Sequence, residues 1–269
     1  MNAYLVLAHE DVDMLNILIS RLVSTGLVFV HLDLGCSIQL EEVVNGPRIY
    51  ISKVMKIKWG GWSIVQATRL LANQAIAAGA KRLTLLSGLS YPLVSDDKLS
   101  ALAISDADIF EAQLVDLNSI GKSFKRRFTS RHLEFKLGNS LFARIVRRAS
   151  REIHSKLPSL DPERELSPLK LTLGSQWWSV STATYTSALE VLKTFPKIER
   201  YFRHIECSDE SFFGTLFARV SQNHNNLGTT YVQWGGDGRP LVLAQVDPSV
   251  SEKYFFARKF SSLNFPIIQ

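Results

Sequence analysis

The chain has 269 residues, of which 46% are hydrophobic, so it can bury a sizeable core as one large domain or two closely joined ones. Its two cysteines, Cys36 and Cys207, make no disulfide framework and have no metal-ligand spacing, which suits a reducing compartment. The formal net charge is +6, and no nucleic-acid motif accompanies it, so nucleic acid ranks below a solvated face or an anionic substrate or membrane surface.

Residues 3–8 are a short apolar run of strand type with no basic segment before it, which does not read as a signal peptide. No apolar run approaches the ~20 residues needed to span a bilayer. The expectation is therefore a soluble, cytoplasmic chain. Asp11 can cap a helix that carries Val12, Leu15, Leu18, Ile19 and Leu22 on one face. A second strand, 27–33, ends on Asp33, at the edge where open α/β sheets bind ligands. The glycine fingerprint of dinucleotide folds is missing, which disfavours NAD and leaves a mononucleotide open.

Residues 49–57 read as a third strand. Trp59-Gly60-Gly61-Trp62-Ser63 then leads into a helix with Ile64, Ala67, Thr68, Leu71 and Ala75 on one face. Residues 83–86 form a fourth strand, with 87–93 as its exit loop. Alternating strands and helices predict parallel pairing over the first hundred residues. Residues 120–168 are polar, basic and Pro-containing, with a loop bracketed by Pro158, Pro162 and Pro168, and suit an acceptor-facing insertion or a plain surface excursion. Two basic clusters lie in it: Lys122, Lys125, Arg126, Arg127 and Arg131, and then Arg144, Arg147, Arg148 and Arg151. By default they form a solvated face, and the competing reading is peripheral contact with an anionic substrate or membrane.

Residues 169–173 and 174–181 return to strand composition, and 182–192 look helical. Ser208 is placed to cap a further helix with Asp209 and Glu210 in its first turn and Phe213, Leu216, Phe217 and Val220 on its apolar face. Glu210 stands where a rigid element could hold a general base. Strands are predicted at 229–234 and 241–244, with a turn at 235–238 between them.

Tryptophans sit beside glycines at Trp59 and Trp62, at Trp177 and Trp178, and at Trp234. Aromatic rings stack on the apolar faces of sugars, although a tryptophan is more often a core anchor. A sugar-nucleotide reaction must also compensate charge on a leaving diphosphate. Asp106-Ala107-Asp108 and Asp96-Asp97 are weak metal candidates, whereas Arg258 and Lys259 in an aromatic stretch, with Arg239 upstream, fit the role of cations that bind diphosphate directly, although the stretch by itself reads as an amphipathic basic tail. No histidine pair has zinc spacing and no nucleophile elbow occurs, so hydrolase chemistry has no support.

Seven pieces in order carry a family resemblance: residues 4–9, Val30-His31-Leu32-Asp33, Trp59-Gly60-Gly61-Trp62-Ser63, 86–93, Gly174-Ser175-Gln176-Trp177-Trp178, Ser208-Asp209-Glu210-Ser211-Phe212-Phe213 and Phe256-Ala257-Arg258-Lys259-Phe260. With them the chain resembles the core-2/I-branching glycosyltransferases, which include β-1,6-N-acetylglucosaminyltransferases and peptide O-xylosyltransferases. It is most similar to the short bacterial members. The resemblance implies an α/β, GT-A-type fold with a mixed, mostly parallel sheet flanked by helices. It implies inversion at the anomeric carbon, a UDP-sugar donor carrying GlcNAc or xylose, and a glycan, glycolipid or glycoprotein acceptor. No cofactor and no divalent metal are implied.

Residue by residue, Asp33 matches the uracil-contacting aspartate, with Leu7 and Ala8 in the nearby wall. Glu210 matches the catalytic base. Lys259 matches the lysine that neutralises the diphosphate, Arg258 stands beside it, and Arg239 lies near a second basic partner. Trp234, with Trp177, is assigned to the acceptor site. The membrane anchor, stem and disulfides of the animal enzymes have no counterpart, so a Golgi location does not transfer. Gly228-Thr229-Thr230 stands where members often have arginine, and 100–170 matches poorly, so acceptor identity does not carry over. The expected organisation is one domain, with a nucleotide-binding half at 1–100 and an acceptor and catalytic half at 101–269. The rival reading is a non-catalytic UDP-sugar or carbohydrate-binding module on a degenerate transferase fold.

Overall fold

The structure is a computed structural model that describes residues 1–58, 60–132 and 159–265. Its centre is set by three runs with nearly every side chain buried: β1 (Asn2–Ala8), β2 (Gly26–Leu32) and, after β3 (Ile49–Ser52), β4 (Arg82–Ser87). β1 pairs in parallel with β2 and β4, and β2 with β3. Strands buried on both faces need helices on both sides. The period of two sorts their residues. Ala3, Leu5, Leu27, Phe29, Leu83 and Leu85 pack on the side of the helix α2 (Trp62–Ala77). Tyr4, Val6, Val28, Val30 and Leu86 pack on the side of α1 (Val12–Leu22), whose N-cap Asp11 accepts from Met14 N at 3.0 Å.

Beyond β5 (Tyr91–Pro92) and α3 (Asp96–Leu102), the chain adds β6 (Asp108–Ile109), β7 (Gln113–Leu114) and α4 (Lys122–Thr129). Then come α5 (Pro162–Leu166), β8 (Thr172–Leu173), β9 (Ser179–Ser181), α6 (Thr182–Thr194) and α7 (Pro196–Phe202). A 3-10 turn at Ser208–Glu210 precedes α8 (Phe212–Val220), and β10 (His224–Asn225), β11 (Thr230–Val232) and β12 (Phe256–Arg258) follow. The main sheet has seven strands in the order β10-β6-β9-β4-β1-β2-β3, with β9 antiparallel to both its neighbours and the other pairs parallel. A smaller sheet, β11-β12-β5, lies apart from it. This is the α/β, mostly parallel, helix-flanked arrangement of a GT-A-type fold, as the resemblance implied.

Several local readings change. Part of the polar stretch at 120–168, expected as an insertion or a surface excursion, is α4, because Phe124 and Phe128, four residues apart, put their rings 5.7 Å from each other with Phe128 buried in the core. The high charge of the stretch masks that apolar pair. The third strand stops at Ser52 rather than at 57. Residues 241–244 form no strand: Leu241 N bonds back to Gln233 O while Leu243 N bonds to Lys259 O, so the segment is split between two partners. Ser208 does not cap α8. Its hydroxyl is buried without a partner among the described residues, and Cys207, with φ of 51°, turns the chain into the 3-10 turn instead. Trp59, Pro158 and the cluster Arg144, Arg147, Arg148 and Arg151 lie outside the described residues. Among the described residues, no helix is long and apolar enough to cross a membrane.

Candidate active site

The parallel strands β1, β2 and β4 deliver their last residues to one edge. Asp33 N donates to Ala8 O at 2.9 Å, and Gly88 N donates to Leu7 O at 2.8 Å. A side chain at Gly88 would come within 2.7 Å of Ala8 Cβ, so this edge closes only with glycine there. Leu7 is half-buried and Ala8 buried beside it. Asp33 Oδ1 accepts from Gly35 N at 2.8 Å and Ile57 N at 3.1 Å. One oxygen of Asp33 thus ties the β2 exit to the segment after β3, and the other makes no hydrogen bond among the described residues. Two residues earlier, His31 is buried with neither ring nitrogen bonded among the described residues; burial pushes its pKa down, and the Asp33 charge opposes that.

The second group of residues is built on the turn before α8. Phe212, Phe213, Leu216 and Phe217 are buried and anchor α8 in the core. The preceding turn is pinned from two sides: Cys207 N donates to Gly60 O at 2.8 Å and Gly174 N to Glu210 O at 2.9 Å. Glu210 projects from this turn and meets Arg127 of α4, with Nη2 to Oε2 at 2.6 Å. Arg127 also lies over the Phe124 ring at 5.0 Å. Burial works against its charge, but the Glu210 carboxylate and the Cys207 sulfur outweigh that and raise its pKa. Asp209, next to Glu210, points inward. Burial, with the Glu210 charge adding, pushes its pKa up to about 7.

The third group follows β12. The Arg258 guanidinium lies 4.9 Å over the Trp177 ring, and its Nε has no partner among the described residues. Burial lowers the Arg258 pKa to about 10, with the Glu10 charge opposing. Lys259 Nζ donates to Glu10 Oε1 at 2.7 Å. That hydrogen bond is the main reason the Glu10 carboxyl sits below its ordinary range.

A short path joins the second and third groups. Gly174, bonded to the Glu210 carbonyl, lies three residues before Trp177, on which Arg258 rests. Glu111 braces the same path, accepting from Ser175 N at 2.9 Å and Gly228 N at 3.1 Å. Trp177 is 6% exposed and one face is taken by Arg258. Trp62 and Trp178 are core residues, whereas Trp234 is 61% exposed. Arg239 is also on the surface, 86% exposed and 3.8 Å from Asp237. Its hairpin is tied to Lys259 through Lys259 N to Leu241 O at 3.4 Å, but no described contact joins the two side chains. Asp108 is 3% exposed and accepts from Ser181 N, Thr184 Oγ1 and Ser221 Oγ, a structural duty that uses its oxygens. Among the described residues, no three His, Cys, Asp or Glu side chains converge as metal ligands would.

Arg127, Glu10 and Glu111 were not singled out from the sequence as site residues. Their partners lie 83, 249 and 64 or more residues away, and no spacing rule reaches that far.

The chain matches the model of the Core-2/I-branching enzymes over residues 2–255. It belongs to that family. This Core-2/I-branching enzyme is accordingly a glycosyltransferase, with a sugar donor and an acceptor. No curated protein gives a significant sequence match. Among solved structures, a 4-diphosphocytidyl-2C-methyl-D-erythritol synthase is similar at 9% identity and a TM-score of 0.41, covering 90% of this chain and 92% of that one. A mannose-1-phosphate geranyltransferase from Thermus thermophilus is similar at 12% identity and a TM-score of 0.32, covering 83% of this chain and 69% of that one.

Proposed function

We propose that this Core-2/I-branching enzyme is an inverting transferase that moves GlcNAc or xylose from a UDP-sugar to a hydroxyl of a glycan, glycolipid or glycoprotein. The observation that carries the reading is the path from the Glu210 turn through Gly174 and Trp177 to Arg258 and Lys259. It links a carboxylate with one oxygen held by Arg127 to two adjacent cations. A general base and a charge sink for the leaving group are the two parts that in-line glycosyl transfer needs.

In this account Glu210 takes the proton of the acceptor hydroxyl through Oε1, since Oε2 is held by Arg127. The acceptor oxygen attacks the anomeric carbon as the bond to the UDP oxygen breaks, and the configuration inverts. Lys259 and Arg258 receive the charge that develops on the diphosphate, so no divalent metal is required. Arg239 approaches only if its exposed hairpin moves. The uracil lies at the β1–β2 edge against Leu7 and Ala8, with its N3–H donated to the free oxygen of Asp33. Trp234 offers an open ring to the acceptor, and Trp177 acts from beneath Arg258. Residues 1–100 form the nucleotide-binding half and 101–269 the acceptor and catalytic half. The enzyme works in the cytoplasm, with the basic face of α4 available to anionic lipid.

The test is a screen of UDP-sugars for slow donor hydrolysis, followed by UDP release. Hydrolysis of one UDP-sugar above the rest supports the reading and names the donor. UDP binding with no hydrolysis or transfer of any sugar contradicts it and favours a binding module.

A further inference from the structure

Glu10 follows β1 at the ligand edge of the sheet and is the carboxylate that Lys259 holds, at 2.7 Å. His9 Nε2 lies 3.6 Å from the same oxygen, and Arg258 interacts with Glu10 through its charge. Basic groups thus gather around one side-chain carboxylate, and the guanidinium among them has a buried Nε with no partner among the described residues. A carboxylate and a phosphate present the same thing to such donors: anionic oxygens that accept N–H bonds. The pair joins residues 249 apart in sequence, so the fold makes it and local chain geometry does not.

The backbone on both sides is fastened independently of this pair. Asp11 Oδ1 accepts from Met14 N, while its Oδ2 accepts from Ser262 N at 2.9 Å and Ser261 Oγ at 3.2 Å. The segment after β12 therefore stays docked on the start of α1 whether or not Glu10 holds Lys259. The side chain of Glu10 is 44% exposed, so a rotation into water releases it with no backbone movement.

We propose that Glu10 is an internal stand-in for the donor diphosphate, occupying Lys259 while the site is empty and swinging into solvent when UDP-sugar binds. This rests on the donor reading given above. A diphosphate brings more charge and more oxygens than one carboxylate, so it displaces Glu10, whereas a nucleoside without phosphates does not. After transfer, the return of Glu10 to Lys259 competes with UDP and speeds its departure, a step that limits turnover in many enzymes.

The experiment is calorimetric titration of UDP and of uridine into the wild type, Glu10→Gln, Lys259→Ala and the double variant. Exposed ion pairs of this kind contribute little, so Glu10→Gln is expected to bind UDP about two- to five-fold more tightly with uridine affinity unchanged. In the Lys259→Ala background, Glu10→Gln should change nothing. Unchanged UDP affinity in Glu10→Gln overturns the inference. Weaker UDP affinity also overturns it, by making Glu10 a residue that positions Lys259 for the donor. A gain shared by uridine, or one that persists without Lys259, places the effect elsewhere and overturns it as well. If the wild type binds no UDP, the donor reading itself fails; UDP binding that ignores Glu10 removes only the stand-in.

Discussion

Arg127 Nη2 and Glu210 Oε2 stand 2.6 Å apart, joining α4 to the turn before α8 across 83 residues of sequence. The Arg127 and Glu210 side chains are 21% and 34% exposed, so solvent screening leaves the pair a modest stabilising contribution. Its greater effect is on orientation, because it fixes one carboxylate oxygen and leaves the other free for the proton transfer proposed above. Arg127→Met should lower kcat by about 10- to 100-fold, the scale of a displaced catalytic group, with UDP affinity unchanged. Arg127→Lys should recover part of the loss, since lysine restores the charge without the planar fork. Steady-state kinetics with calorimetry checks this, and an unchanged kcat in Arg127→Met removes Arg127 from the site.

Asp33 Oδ1 accepts from Gly35 N and Ile57 N, and the other oxygen is the one proposed for uracil. Asp33→Ala should weaken UDP and uridine alike, because the contact is to the base. It should also cost about 1–3 kcal/mol of stability, as two backbone donors lose their acceptor. Matched titrations and thermal melts separate the two effects. Loss of stability with intact uridine affinity would leave Asp33 only its structural duty.

Lys259 and Arg258 carry the charge compensation in this account. Activity should therefore persist in excess EDTA, and Lys259→Ala should weaken UDP far more than uridine. Activity abolished by chelation and restored by manganese would overturn the metal-independent reading.

Asp209 gives a stability signature in pH. Its carboxyl, ordinarily near ~4, is raised to about 7 by burial and by the Glu210 charge. The folded state then holds this proton more tightly than the unfolded state. The contribution is fully present below about pH 4 and is lost as pH rises through about 7. At about 1.4 kcal/mol per pH unit, the loss is on the order of a few kcal/mol. Asp209→Asn should remove this dependence and gain on the wild type as pH rises from about 5 to about 8. Melting temperatures across that range test it; parallel curves for the two proteins would show that Asp209 is already ionised.

The sheet was legible because residues 3–8, 27–32 and 83–86 are apolar runs with turn residues at their ends, and burial on both faces needs nothing else. The Asp11 cap was legible for the same local reason. The pairs Arg127–Glu210 and Lys259–Glu10 were not, since each joins distant segments that only the folded sheet brings together. Helix α4 was hidden by its own charge, and three of the tryptophans that lie near glycines, Trp62, Trp177 and Trp178, are buried in the core. Aromatic composition reads alike for a ring that faces a ligand and a ring that faces leucine.

The proposed mechanism depends on Glu210 acting as the base for sugar transfer from UDP. It is tested most directly by measuring, for Glu210→Gln, both UDP affinity and the rate of consumption of the UDP-sugar that the wild type prefers. The glutamine keeps the shape of the side chain and a hydrogen-bonding oxygen for Arg127, but it cannot take a proton. The expected result is a folded protein that binds UDP as the wild type does and turns over about 100-fold more slowly or worse. Turnover near the wild-type rate would contradict it.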